Sequence, residues 1–420
     1  MRVPEAGDAA DAGGVKGRFE ALKYRDYSLM FVTGGISNVG NWMEIVLRTW
    51  LVYEISGGSP WVLGLSNLVH WLPFLLLSPL AGVFADRWEK RWLLVVTQSI
   101  LTLVTTMLGV LSLLGIVKIW HILLLTFIHG LSEATDNPAR TSLVSDLVDK
   151  GTLMNAVSLN ATAFYGTRLI GPAIGGFLIA AAGTGLGFII NALTFVPYIV
   201  ALFFIRPAPS VRPQGNPWEN FKEGLGYVNQ NRAALTILIV VGIISVFMVS
   251  YQSLLPIFAD DILRAGPEGL GMLSAATGLG AVMGSLLLAF YSHRVVRQGR
   301  FICLMGAVFG LALLVFAFSK VYWFSLLCLV VAGAGNTTFA SSGNAVLLTD
   351  VPAHLRGRIM GVFTMISQGS NVFGSLMIGG LGSAFGAAGG LAISSAVAVI
   401  AAAVSFALLP GTGKLGKPSL

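Results

Sequence analysis

The chain has 420 residues, 55% of them hydrophobic and only 11% charged, against about 25% charged in soluble domains. Its mean hydropathy of +0.80 makes lipid the solvent for most of the chain and excludes an ordinary soluble enzyme or binding module. The net charge of +7 calls for no nucleic-acid partner, because basic residues flanking membrane spans set topology and attract anionic membrane lipid.

A helix needs about 20 apolar residues to cross the ~30 Å hydrocarbon core, and twelve such stretches follow one another. Residues 1–26 are mostly polar and precede the first long apolar run, so no cleavable signal peptide is expected. Six spans are predicted at Tyr27–Val52, Trp61–Phe84, Leu93–Leu114, Ile119–Asp136, Asn155–Ala182 and Leu186–Ile205. A polar linker at 206–232 comes next. Pro207, Pro209, Pro213 and Pro217 exclude helix from its start, and Trp218, Phe221, Leu225 and Val228 recur at helical spacing after it. That pattern fits either a short amphipathic helix on the membrane surface or a solvated linker.

Six more spans are predicted at Ala233–Phe258, Gly269–Tyr291, Phe301–Phe318, Tyr322–Leu348, Arg358–Leu381 and Phe385–Leu409, followed by a tail at 410–420. Two apolar runs, Leu169 to Ile205 and Ile359 to Gly413, are long enough for two spans each, and their glycine clusters at 183–187 and 382–390 mark the turns. The expected fold is therefore an all-α membrane protein of twelve transmembrane helices, an N-terminal bundle at 27–205 and a C-terminal bundle at 233–409. Cys303 and Cys328 belong to different depths of that bundle and are expected as buried free thiols.

With residues 1–26 inside, 21 of the 26 Lys and Arg lie on the inner side. Lys118, Arg264 and Lys320 lie outside, and Arg48 and Arg168 lie within spans. This asymmetry puts both termini in the cytoplasm of a multi-pass cell-membrane protein. The halves also repeat. Leu143-Val144-Ser145-Asp146-Leu147 corresponds to Leu347-Leu348-Thr349-Asp350-Val351, and Asp86-Arg87 with Lys90 corresponds to His293-Arg294 with Arg297. Parallel six-helix repeats are a transporter plan with the substrate site between them.

An ionisable group inside lipid costs at least ~2.5 kcal/mol on insertion scales and needs a partner or a wet cavity. In the first span Asn38, Asn41, Glu44 and Arg48 fall on one face, within about 120° of arc. Glu44 there is either a proton carrier on a cavity wall or a static partner of Arg48 at i, i+4. In the fourth span His129, Glu133 and Asp136 fall within about 60° of arc, with Arg140 beyond Pro138. Arg168 of the fifth span is expected level with them. This group is either a proton-coupling network or a static clamp between spans four and five. His70, with Asn67 one turn away, is a further titratable candidate or a packing histidine. The second half offers Tyr251, Gln252, Asn336, Thr337, Asn344, Gln368 and Asn371, as substrate contacts or as hydrogen bonds between helices. Gly278, Gly280 and Gly284 are expected to let helices approach closely, and Gly171-Pro172 to kink span five.

The loop Gly82-Val83-Phe84-Ala85-Asp86-Arg87-Trp88-Glu89-Lys90-Arg91, together with the helix count, resembles the signature of the major facilitator superfamily. Gly171-Pro172-Ala173-Ile174-Gly175-Gly176 is similar to the antiporter motif of exporters, with Thr167 where that motif usually has Gly and Gly166 displaced by one. Asp136-Asn137-Pro138-Ala139-Arg140, Arg168-Leu169-Ile170-Gly171-Pro172, Trp42-Met43 and Trp50-Leu51-Val52-Tyr53-Glu54 resemble the branch of enterobactin exporters and macrolide efflux pumps. The resemblance implies a gating motif of Gly82, Asp86, Arg87, Lys90 and Arg91, with Asp86 latching onto Arg356 or Arg358. It also implies alternating-access transport of a small amphipathic compound without a cofactor, energised by a proton gradient, by a chain for which a monomer suffices. Uptake symport or facilitated diffusion is the alternative. A lipid flippase or a non-transporting sensor is the alternative from another class. No Walker loop, zinc spacing or nucleophile motif points to an enzyme.

Overall fold

The computed structural model describes residues 17–87, 89–206, 217–291, 298–351 and 355–408. Among them there is helix and no strand, as expected where backbone in hydrocarbon must satisfy its own hydrogen bonds. A short 3-10 helix, Gly17–Lys23, leads into α1 (Arg25–Ser56), α2 (Pro60–Arg87), α3 (Lys90–Leu113), α4 (Ile119–Leu147) and α5 (Leu153–Phe204). After the linker come α6 (Pro217–Gln230), α7 (Arg232–Met248), α8 (Leu255–Ile257), α9 (Gly266–Tyr291), α10 (Gln298–Ala317), α11 (Tyr322–Asp350) and α12 (Arg356–Leu408).

Among the described residues, eight helical stretches are long and apolar enough to cross a membrane. The helices α1 and α4 are not among them; Asn38, Asn41, Glu44 and Arg48 in α1 and His121, His129, Glu133 and Asp136 in α4 make them the more polar helices. Two of the eight, in α5 and α12, are 52 and 51 residues long, and at 1.5 Å per residue each would be about two and a half times as long as the hydrocarbon core is thick. Both double back at one glycine: Gly183 (φ 79°, ψ 166°) and Gly386 (φ 76°, ψ 163°) sit in a region that L side chains essentially do not enter. The return is direct at Gly390, where an added Cβ would lie 2.6 Å from the backbone nitrogen of Gly382.

Span seven departs from the continuous helix expected. After Met248 the chain runs through a 3-10 stretch, Val249–Leu254, the short α8 and a π-helical turn, Phe258–Ile262. Pro256 accounts for the break, since it donates no hydrogen bond and its ring crowds the carbonyl of Gln252 four residues back. In α5 the backbone keeps helical φ/ψ around Pro172, and the residue of non-helical φ/ψ is Gly183.

Helices meet through small residues. Within the N-terminal set α5 packs on α1 and α3, and α4 packs on α2 and α3. In the C-terminal set α12 packs on α7 and α10, and α11 on α9 and α10. The two sets join through α2 on α12 and α5 on α9. At these joints a Cβ on Gly64 would be 2.9 Å from the Cα of Gly379, and one on Gly176 would be 2.7 Å from the Cα of Gly271. Asn67 Nδ2 donates to Ser375 Oγ at 2.7 Å, and Tyr53 Oη contacts Asp260 Oδ2 at 2.8 Å and Asp261 Oδ1 at 2.7 Å. All these contacts pinch the two helix sets together toward one end of the bundle.

The helix α6 occupies the second part of the linker and docks onto the start of α12. Glu223 pairs with Arg358, Gly224 faces the Arg358 carbonyl, and Tyr227 packs on Val351, Leu355 and Ile359. Cys303 and Cys328 are both free and buried.

Gly280 faces the carbonyl of Val330 so closely that a methyl group has no room, whereas a Cβ at Gly35 of α1 would meet nothing within 4 Å. Gly280→Ala should therefore destabilise the detergent-solubilised protein by about 1–3 kcal/mol, and Gly35→Ala should leave its thermal unfolding unchanged or raise it slightly. Equal behaviour of the two variants in a thermal melt would refute the close-approach account.

Candidate functional site

A cavity of about 390 Å³ lies between the two sets of helices. From the N-terminal side it is lined by Asn38, Asn41 and Trp42 of α1, His70, Trp71 and Phe74 of α2, Glu133 and Asn137 of α4, and Phe164, Tyr165 and Arg168 of α5. From the C-terminal side come Tyr251 and Gln252 of the 3-10 stretch, Asn336 and Thr337 of α11, and Gln368 and Asn371 of α12, with Phe339 and Phe363. His70, Glu133 and Arg168 supply its charged or readily charged groups among the described residues, and all three come from the N-terminal wall. Aromatic rings with a few polar groups suit an amphipathic small molecule.

The buried ionisable residues divide into two kinds. Glu44 and Arg48 form a buried pair, with Arg48 Nε donating to Glu44 Oε1 at 2.8 Å and its Nη1 to Ser66 Oγ on α2 at 3.3 Å. Neither lines the cavity. Asp136 is likewise enclosed. Its Oδ1 accepts from Thr97 Oγ1 at 2.9 Å and Gln98 Nε2 at 2.8 Å, and its Oδ2 from Arg140 Nε at 3.2 Å. Arg140 also donates to the Gly34 carbonyl and lies 4.4 Å from the Tyr198 ring centroid. The chain stays helical through Pro138, which puts Arg140 one turn from Asp136 and resolves the phase the proline left open. This network ties α4 to α1, α3 and α5.

Glu133 belongs to the other kind. Its Oε2 lies 3.5 Å from His70 Nε2 and 3.9 Å from His129 Nδ1, and the two imidazoles are 5.9 Å apart. Gly130 makes this possible, because it brings α4 against the backbone carbonyl of His70. Nδ1 of His70 and both ring nitrogens of His129 are buried with no hydrogen-bond partner. One ligand-type atom from each residue lies within 4.8 Å of the others, the spacing of a site for a proton or a metal ion.

Arg168 does not join this group as expected from the helix register. Helix α5 turns toward α1 and α9 rather than α4, and the Arg168 guanidinium sits 5.1 Å from the Trp42 ring centroid, with its Nε lacking a hydrogen-bond partner. Asn67 and Asn344 also fall outside the cavity lining, Asn67 being engaged with Ser375 at the closed end. The structure adds Trp71, Phe74, Phe164 and Tyr165 to the cavity wall. The last two stand three and four positions before Arg168, on its face of the helix, and that spacing was the available signal.

In the motif glycines, Cβ atoms on Gly171 and Gly175 would lie 2.6 Å from the Cβ of Trp42 and 3.1 Å from the Met43 carbonyl oxygen, so both serve the approach of α1 to α5. Gly176 serves the approach to α9, and the carbonyl of Pro172 abuts Gly271 there. Thr167 Oγ1 accepts a hydrogen bond from Asn38 at 2.8 Å, while Gly166 faces open space. Lys90 Nζ reaches Asp146 Oδ2 at 2.6 Å, and Arg91 donates to the Phe203 carbonyl. The side chains of Gly82, Asp86 and Arg87, and that of Arg356, lie outside the described residues, whereas Arg358 is paired with Glu223.

Residues 17–414 match the family model described as transmembrane secretion effector, a major facilitator family. The chain is 25% identical over 350 residues to the staphyloferrin A transporter of Staphylococcus aureus, covering 83% of this chain and 87% of that one. It is 24% identical over 325 residues to the enterobactin exporter EntS of Escherichia coli O1:K1, covering 77% of each. A solved structure of a point variant of the nucleoside transporter NupG superposes with a TM-score of 0.76 at 12% identity, over 92% of this chain and 100% of that one. This multi-pass membrane protein, a transporter and not an enzyme, belongs to the transmembrane secretion effector family of the major facilitator superfamily.

Proposed function

We propose that the chain is a secondary active exporter that moves a small amphipathic compound, of siderophore, macrolide or related drug type, out of the cell by alternating access coupled to protons. The observation that carries this reading is the cavity between the two helix sets, whose charged groups all stand on one wall while the other is uncharged, aromatic and amide-rich. A wall that can change charge opposite a wall that contacts cargo is the arrangement an exchanger of proton for substrate needs. The names of the two relatives, for staphyloferrin A and enterobactin, support the siderophore part of that class, and the sequence resemblance to macrolide efflux pumps the rest.

The reading extends to architecture. Counting α5 and α12 as two spans each, α7 to Ile262 as one, and α1 and α4 as spans despite their charges gives twelve. The pairings of α1 with α5, α2 with α4 and α3 with α5 have counterparts in α7 with α12, α9 with α11 and α10 with α12, which supports two parallel six-helix repeats. We take the pinched end, at Tyr53, as extracellular, because the basic residues concentrate at the opposite end. Cysteines introduced as Ser56→Cys and Lys118→Cys should then react with a membrane-impermeant maleimide on intact cells, and Glu89→Cys and Lys150→Cys only after permeabilisation. External labelling at Glu89→Cys would invert the topology.

The coupling test starts from a ligand found by thermal stabilisation of the purified protein across siderophores, macrolides and other amphipathic drugs. In inverted vesicles, an interior-acid gradient should drive its uptake. Glu133→Gln should fold, bind and exchange downhill while losing uphill transport by about tenfold or more. Glu44→Gln should instead lower thermal stability, since it strips a buried Arg48 of its carboxylate. Transport that ignores the gradient at every pH from about 5 to 9 identifies a facilitator. Opposite coupling identifies a symporter, and lipid translocation without drug transport a flippase.

A further inference from the structure

His129 and Glu133 stand one helical turn apart on α4 and point at His70 of α2, where Gly130 holds the two backbones together. Three features of this trio exceed what a packing role requires. First, the histidines are 2% and 3% exposed, yet three of their four ring nitrogens have no hydrogen-bond partner, a costly arrangement in low dielectric. Second, the donor set is two imidazoles and one carboxylate, which suits zinc and its transition-metal neighbours and not calcium or magnesium, which take oxygen donors. Third, the spacing fits. A tetrahedral ion with ligands at about 2.0–2.1 Å has ligand atoms about 3.3 Å apart; the two edges through Glu133 Oε2 measure 3.5 Å and 3.9 Å, and all three ligand atoms lie within 4.8 Å of one another, so the side chains draw together slightly around an ion.

We propose that His70, His129 and Glu133 form a binding site for one divalent transition-metal ion of the zinc class. His70 and Glu133 line the cavity, so the ion enters from there and its fourth position faces the cavity, open to water or to an oxygen donor on the cargo. Of the two nitrogens nearest Glu133 Oε2, that of His129, Nδ1, has no hydrogen-bond partner in the free protein and can offer its lone pair. Other charged groups nearby are engaged elsewhere: Arg48 with Glu44, and Asp136 with Arg140, Thr97 and Gln98. The proposal draws on the transport reading only for the cavity's access to solvent.

The test uses detergent-solubilised full-length protein with Co2+ and Zn2+ alone, without gradient or substrate, so it stands apart from any failure of transport. One Co2+ per chain should bind with the intense visible absorption of a four-coordinate site, and Zn2+ should displace it. Glu133→Gln, His70→Gln and His129→Gln should each weaken binding by about 100-fold. His121→Gln, at the start of α4 and bonded to the Lys118 backbone, should not weaken it. Should a variant fail to fold, zinc-edge X-ray absorption on the wild-type protein reads the same point, with two imidazoles and one carboxylate oxygen at about 2.0–2.1 Å. Absence of stoichiometric binding, a pale six-coordinate cobalt spectrum, affinity that survives in the three variants, or a zinc shell without imidazole would each overturn the site.

Discussion

Apolar side chains of a helix in hydrocarbon gain little by leaving lipid for a neighbouring helix, so cohesion depends on how near two backbones can come. Glycine carries that constraint throughout this bundle. Gly171 and Gly175 seat α1 on α5, Gly280 and Gly284 seat α11 on α9, and the facing pairs Gly64 with Gly379 and Gly176 with Gly271 join the two helix sets. The last two pairs bring the two helix sets into backbone contact, with side-chain hydrogen bonds such as Asn67 to Ser375 set beside them.

The second constraint is the cost of charge in lipid, and the chain meets it in two ways. Glu44, Arg48, Asp136 and Arg140 are paired and hydrogen-bonded away from the cavity. His70, Glu133 and Arg168 are left with loose or missing partners at the cavity wall. An enclosed pair is cheap only while it stays together, which makes the first group part of the scaffold. A group beside a wet cavity can exchange its partner for water, a proton, an ion or cargo, which fits the second group for work.

Much of this was legible in the sequence. Spans longer than the membrane is thick, with glycines at their middles, disclosed the turns at Gly183 and Gly386. The polar faces of spans one and four disclosed most of the residues that later divide between scaffold and cavity. What escaped was relative placement. Helical phase shows which residues share a face but not which helix that face meets, so the register alone puts Arg168 level with Glu133, whereas α5 packs chiefly on α1, α3 and α9. The partnership of His70 with Glu133 was hidden for the same reason, since it depends on Gly130 bringing α4 against α2, a contact with no local signature. Pro256 was visible in span seven, yet a proline in a membrane helix is often accommodated, and only the structure shows the helix giving way around it.

Tyr53 at the closed end stands between two carboxylates, with Asp260 and Asp261 both at hydrogen-bonding distance from its hydroxyl. A phenol has a single proton to give. Only one of the two acceptors can receive it at any instant, and the other confronts the oxygen lone pairs. The clasp across the two helix sets is thus oversubscribed. It holds by sharing one proton between rivals, and each exchange leaves one acid briefly free to find water. With Asp261 exposed and Tyr53 only half-buried, water competes for the same acceptors, so this clasp between the two helix sets is a contact that solvent can replace.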